Sequence, residues 1–72
     1  MSYPLTKRQF ETLQFIDSFI KKNGFAPTLK EIGQAFGNNI GTSFKLVEHL
    51  VDKRYVKRYK FHPRGIEVLR LK

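Results

Sequence analysis

A change of hydrophobic period near residue 55 constrains this chain more than any other feature. Before it, apolar residues recur every three to four positions, the spacing of amphipathic helices. From Tyr55 onward they alternate, the spacing of strands with one buried face. A helical body followed by a small β segment must then be built from 72 residues. A chain that short buries only about 60% of its unfolded surface. It has no Cys to staple the fold, so seven Phe and three Tyr must supply much of the core.

The element boundaries are written locally. Thr6 with Gln9 has the form of a capping box, in which a hydroxyl and an amide satisfy free backbone N–H groups. Phe10, Leu13, Phe15, Ile16, Phe19 and Ile20 follow, and Asn23-Gly24 stops the pattern, which predicts a first helix over about 7–22. Phe25-Ala26-Pro27 reads as an extended linker. Thr28 with Glu31 forms a second capping box, and Ile32, Ala35 and Phe36 before Gly37 predict a helix over about 29–36. Asn38-Asn39-Ile40-Gly41 has turn chemistry. A third helix, opened by Thr42 or Gly41, is expected over about 42–54, with Leu46, Val47, Leu50 and Val51 on one side. The remainder, about 55–71, reads as a hairpin whose turn is His62-Pro63-Arg64-Gly65. The fold class is mainly α with a small β-hairpin, in a single domain over residues 1–72.

Charge is concentrated in the second half. The net charge is +8, of which residues 41–72 contribute +6, with nine Lys/Arg against three Asp/Glu. Six basic residues and no acidic one fall between Lys53 and Arg64. Such a run is either a solvated face or a surface for a polyanion. Three helices followed by a basic hairpin, with a tight turn between helices 2 and 3, describe a winged helix-turn-helix. That motif sets its second helix into the major groove of DNA.

The helical period singles out the reading face. Ser43 joins the apolar side of helix 3, and Phe44 lies at its edge, positioned for the core or for a thymine methyl. Thr42, Lys45 and His49 lie opposite, with Asp52 further along. Thr42 and Lys45 can reach base edges, and His49, set further back, suits the DNA backbone. In the hairpin, Lys57, Arg58, Lys60 and Arg64 are placed to lie along the phosphate backbone or to enter the flanking minor groove; phosphate contacts give affinity and register rather than sequence choice. Thr28 and Arg54 join them as backbone candidates. Val56 and Ile66 are expected to face the core, together with one of Tyr59 and Phe61.

Other chemistries lack their residues. Ser43 has no base placed near it, and His49 and His62 lack metal-ligand spacing, so no enzyme activity, metal or cofactor is expected. No apolar run approaches the roughly 20 residues that span a bilayer, and no export signal opens the chain, so a cytoplasmic, nucleoid-associated protein is expected.

Thr6-Lys7-Arg8-Gln9, Gly24-Phe25-Ala26-Pro27-Thr28, Glu31-Ile32 and Pro63-Arg64-Gly65-Ile66, in that order, resemble the N-terminal DNA-binding domain of the LexA repressor family. The resemblance covers nearly the whole chain. It implies a winged helix-turn-helix that binds operator DNA in transcription regulation. It also implies base readers at Asn39, Gly41, Thr42, Phe44 and Lys45. The family's acidic pair early in helix 3 is replaced here by Phe44 and Lys45, so its operator sequence does not carry over. Arg54 stands where the family usually has Gly. LexA repressors continue into a self-cleaving, dimer-forming domain that these 72 residues do not contain. That fits either a piece of a longer repressor or a single-domain relative.

The expected partner is double-stranded DNA, with no membrane. One such domain covers about a half-site, so tight binding calls for a homodimer on DNA or a protein partner. The competing reading is an adaptor that holds a protein through helix 3 or through Tyr59 and Phe61, with only non-specific nucleic-acid affinity. RNA binding ranks below both, because the aromatic sheet platform of common single-strand binders is absent.

Overall fold

The computed structural model describes residues 5–71, so the ends of the expected 1–72 domain lie outside the described residues. Three helices, α1 (Lys7–Asn23), α2 (Leu29–Phe36) and α3 (Ile40–Asp52), are followed by an antiparallel pair, β1 (Val56–Arg58) and β2 (Ile66–Val68). Among the described residues no helix is long and apolar enough to cross a membrane.

Both expected capping boxes form. The Thr6 hydroxyl accepts from the Gln9 backbone N–H at 3.2 Å, and the Gln9 side-chain Oε1 accepts from the Thr6 N–H at 3.1 Å. Thr28 and Glu31 repeat the exchange at 3.1 and 2.9 Å. Gly24 and Gly37 end α1 and α2 in the left-handed conformation.

The third helix starts earlier than the period suggests. Asn39 is its N-cap, with Oδ1 accepting from the Thr42 N–H at 2.8 Å, so Gly41 and Thr42 lie inside the first turn. Asn caps as well as Thr does, and this cap leaves only residues 37–39 between α2 and α3. The helix ends at Asp52, and Arg54 follows in a left-handed backbone at φ 65°.

The core draws on every element. Leu13 and Ile16 of α1, Ile32 of α2, and Val47 and Leu50 of α3 are fully buried. Tyr55, Val56 and Ile66 close it from the hairpin side. Each such burial contributes about 1.5–3 kcal/mol, so a core this small tolerates little loss. Ser43 is buried with the apolar side of α3, as its position predicts, while Ala35 of α2 is exposed. Around this centre an aromatic chain runs from Phe36 through Phe15 and Phe19 to Phe25, with ring centroids 5.6 to 6.0 Å apart.

Gly33 sets the distance between α2 and α3. A Cβ built there would lie 2.5 Å from the Asn38 carbonyl oxygen and 3.1 Å from Ser43 Oγ. Only a hydrogen fits, and the turn folds back so closely that the Asn38 N–H donates to the Gly33 carbonyl at 2.8 Å.

The hairpin is narrower than its sequence pattern. Val56, Lys57 and Arg58 pair with Val68, Glu67 and Ile66. Residues 59–65 form the connecting loop, so the turn is longer than the expected four residues. It closes with Tyr59 N–H donating to the Gly65 carbonyl at 2.7 Å and Gly65 N–H to the His62 carbonyl at 2.9 Å. A Cβ on Gly65 would meet both the Tyr59 carbonyl oxygen and His62 Cβ at 2.8 Å. Val56 and Ile66 face the core as expected, but neither Tyr59 nor Phe61 does: they are 42% and 97% exposed. Tyr55 fills the expected aromatic place, because the pairing that closes the hairpin on α3 begins one residue before β1. Its carbonyl accepts from the Leu69 N–H at 2.8 Å.

Candidate nucleic-acid interface

The first turns of α3 present a solvent-facing polar surface beside the exposed Ile40. Asn39, Gly41, Thr42 and Lys45 are all exposed there, while Ser43 and Val47 anchor the opposite side in the core. The helix is amphipathic with its buried face held by Leu50, so the outward face is rigidly presented. Asn39 spends its carbonyl oxygen on the cap, which leaves its amide N–H₂ as the group that can donate outward. Gly41 adds no side chain, so another molecule's edge can approach the backbone there closely. Its Cβ would meet only Asn39 Oδ1, at 3.4 Å.

Phe44 is neither core nor fully free. It is 39% exposed, and the Arg58 guanidinium stands 5.0 Å over its ring. The same Arg58 reaches Glu48 at 3.6 Å. Arg58 therefore links β1 to the outer side of α3 and fixes the wing beside the helix. Helical residues four apart share a face, which is why Phe44 and Glu48 receive one arginine together. The charge of Arg58 is thereby partly compensated.

Lys57 and Lys60 are exposed on the hairpin. Lys57 stands 5.0 Å over the Tyr59 ring, and the Tyr59 hydroxyl donates to Glu67 at 2.8 Å across the strands. Of the hairpin cations, these two remain the most available to an outside anion.

Arg64 is committed elsewhere. Its two terminal nitrogens meet Glu31 at 2.7 and 3.1 Å, one of them also reaches the Ala26 carbonyl at 3.0 Å, and the guanidinium covers Phe25 at 4.6 Å. This arginine ties the end of the loop to the entry of α2. Its hydrogen bonds, followed by the Thr28 backbone N–H, lower the Glu31 carboxyl to a pKa of about 2. The carboxylate in turn raises the Arg64 pKa. Thr28 is half-buried at the N-cap of α2 and lines a cleft with Ile40, Arg58 and His62.

His49 lies further along α3, and Arg54 lies beyond its end. Both are exposed, but Arg54 lies past the C-terminal end of a helix that runs about 20 Å from Asn39 to Asp52, at 1.5 Å per residue. The structure thus brings Asn39, Gly41, Thr42 and Lys45 onto one patch, with Phe44 and Arg58 at its border. It leaves Arg54 at the opposite end, and Arg64 exposed but paired with Glu31.

Sequence reasoning missed three positioning features. Gly33 carried a signal, since Gly inside an eight-residue helix costs about 1 kcal/mol against Ala and usually marks close approach. Asn39 was read as a turn former, although Asn serves turns and N-caps alike. The Arg64–Glu31–Phe25 cluster had no signal, because Arg64 lies more than 30 residues from the other two.

The family model for the LexA DNA binding domain matches residues 2–65. A LexA repressor of Leptospira interrogans is 38% identical over 66 residues, covering 92% of this chain and 32% of that protein. The LexA repressor of Shouchella clausii is 41% identical over 70 residues, covering 93% and 33%. That of Bacillus mycoides is 39% identical over 66 residues, covering 90% and 32%. The chain spans about a third of the length of these curated relatives.

Proposed function

The chain belongs to the LexA DNA-binding domain family, and from that premise we propose that it binds double-stranded DNA sequence-specifically and represses transcription where it binds. The observation that carries this reading is the exposed patch of Asn39, Gly41, Thr42 and Lys45 on a helix whose other face is locked in the core. A major groove about 12 Å wide admits such a helix. Lys45 serves guanine acceptors, the Asn39 amide and Thr42 hydroxyl serve base edges, and Gly41 lets the helix start approach closely. Lys57 and Lys60 take phosphates beside the groove, with His49 further back on the same helix. Arg64, Arg58 and Thr28 act mainly by holding wing, α2 and α3 in register.

The size of the domain is compatible with two copies on one operator. The Cα trace extends 31 × 23 × 23 Å, and half-sites one helical turn apart are about 34 Å centre to centre. Neighbouring copies therefore fit side by side on successive major grooves of a two-fold symmetric site. The adaptor reading has less to stand on: Arg58 stands over Phe44, and Lys57 and Glu67 engage Tyr59, which leaves Ile40 and Phe61 as the most exposed apolar groups on helix 3 and the wing.

Selection from random duplex DNA tests the proposal, followed by titration of variants against salt. An enriched motif is expected. Lys45→Ala should change the preferred bases, whereas Lys60→Ala should weaken every sequence and lower the salt slope by about one. Equal binding to all duplexes would remove the specificity claim.

A further inference from the structure

Phe61 combines two costly features at the outermost turn of the wing. Its side chain is 97% exposed, the highest value among the exposed large apolar residues. Its backbone sits at φ 67°, where a bulky L-residue is strained and Gly or Asn is at ease. Among the described residues the core does not use the ring: the hairpin's apolar positions in it are filled by Tyr55, Val56 and Ile66. The strained loop conformation instead holds the ring outward.

Its surroundings suit a polyanion. Lys57 and Lys60 are exposed nearby, no acidic residue occurs from Lys53 to Arg64, and the one acid opposite, Glu67, is engaged by the Tyr59 hydroxyl. The wing is also held at a set distance from the recognition helix, because Arg58 contacts both Phe44 and Glu48 of α3. With α3 in the major groove, a wing fixed beside it meets the adjoining minor groove.

We propose that Phe61 is an apolar wedge that enters this minor groove and partly unstacks one base step. Lys57 and Lys60 hold the flanking phosphates. Minor-groove proteins kink DNA in this way with Phe, Leu, Ile or Met side chains. The step that yields most easily is pyrimidine–purine, TA or CA, so the wing adds a preference for a flexible step beside the bases read by α3. The proposal rests on the DNA-binding reading above and adds a distortion that the reading does not require.

The test uses duplexes carrying the motif enriched by selection, with 2-aminopurine replacing an adenine at each flanking TA or CA step in turn. Phe61→Asn keeps a residue that tolerates the left-handed backbone while removing the ring, and Phe61→Leu keeps an apolar wedge. Wild-type protein should raise the 2-aminopurine fluorescence at one step. Phe61→Asn should melt no lower than wild type, lose that rise and bind about tenfold more weakly, and Phe61→Leu should retain most of both. Selective wild-type binding with no fluorescence change, or undiminished affinity in Phe61→Asn, would overturn the wedge and leave DNA recognition standing. A protein that selects no duplex at all would overturn both.

Discussion

Arg64 grips Glu31 with both ends of its guanidinium, at 2.7 and 3.1 Å, across 33 residues of chain. The pair joins the wing loop to the first turn of α2, and the Thr28 cap holds the same carboxylate from the other side. A residue that looks like a phosphate ligand from its basic neighbourhood is thereby a brace. Wing and helix-turn-helix depend on each other through it.

The brace sets a pH dependence. The Glu31 carboxyl titrates at about 2 in the folded protein against an ordinary value of 4.5. A carboxyl lowered by folding contributes stability that is fully present above its ordinary value. That stability is lost as pH falls through the folded value. Thermal melts of wild type and Glu31→Gln should therefore differ at pH 7 and converge progressively as pH falls from about 4.5 toward the folded value. Both side chains are more than a third exposed, so salt at 0.5 M should narrow the gap at neutral pH.

Gly33→Ala should destabilise despite the better helix propensity of Ala. The added Cβ would sit 2.5 Å from a backbone oxygen, which cannot rotate away as a side chain can. Overpacking of this kind costs about 1–3 kcal/mol, against a propensity gain of about 1 kcal/mol. Urea unfolding should show a lower midpoint. A raised midpoint would mean that the α2–α3 turn relaxes freely.

Arg54→Gly should stabilise. The residue has a left-handed backbone just after α3, where a non-glycine costs about 1–2 kcal/mol. The Arg54 carbonyl, which accepts from Arg70 Nε at 3.4 Å, is kept by the substitution. A gain of about 1 kcal/mol in chemical unfolding is expected, and an unchanged midpoint would count against strain at this position.

Asn39 has two roles that substitution can separate. Asn39→Asp keeps the acceptor for the Thr42 N–H and should leave stability nearly unchanged. It replaces the outward N–H₂ donor by an anion and should reduce DNA affinity sharply. Asn39→Ala should cost about 1 kcal/mol of stability as well. Equal DNA binding by wild type and Asn39→Asp would exclude the amide from recognition.

Much of the fold was legible because its signals are local. Each capping box links residues three apart, and each helical stop is one glycine, so Thr6, Thr28, Gly24 and Gly37 mark their elements without reference to the rest of the chain. The polar face of Thr42, Lys45 and His49 was legible for the same reason, since helical period alone decides which residues lie opposite Val47 and Leu50. The start of α3 was harder. Asn38, Asn39, Gly41 and Thr42 offer competing caps within five residues, and the folded chain uses Asn39, in a turn packed closely on Gly33.

The change of period near residue 55 thus determined three helices and a basic wing, because backbone hydrogen bonding and amphipathic spacing act over a few residues. Tertiary structure alone decided what each wing side chain does. Arg64 and Arg58 look alike in a basic run, yet one turns to Glu31 and the other to Phe44 and Glu48. Tyr55 enters the core while Phe61 is held in solvent. Those outcomes depend on which distant carboxylates and rings the folded chain brings within about 3 to 5 Å, a distance that spacing along the sequence does not encode.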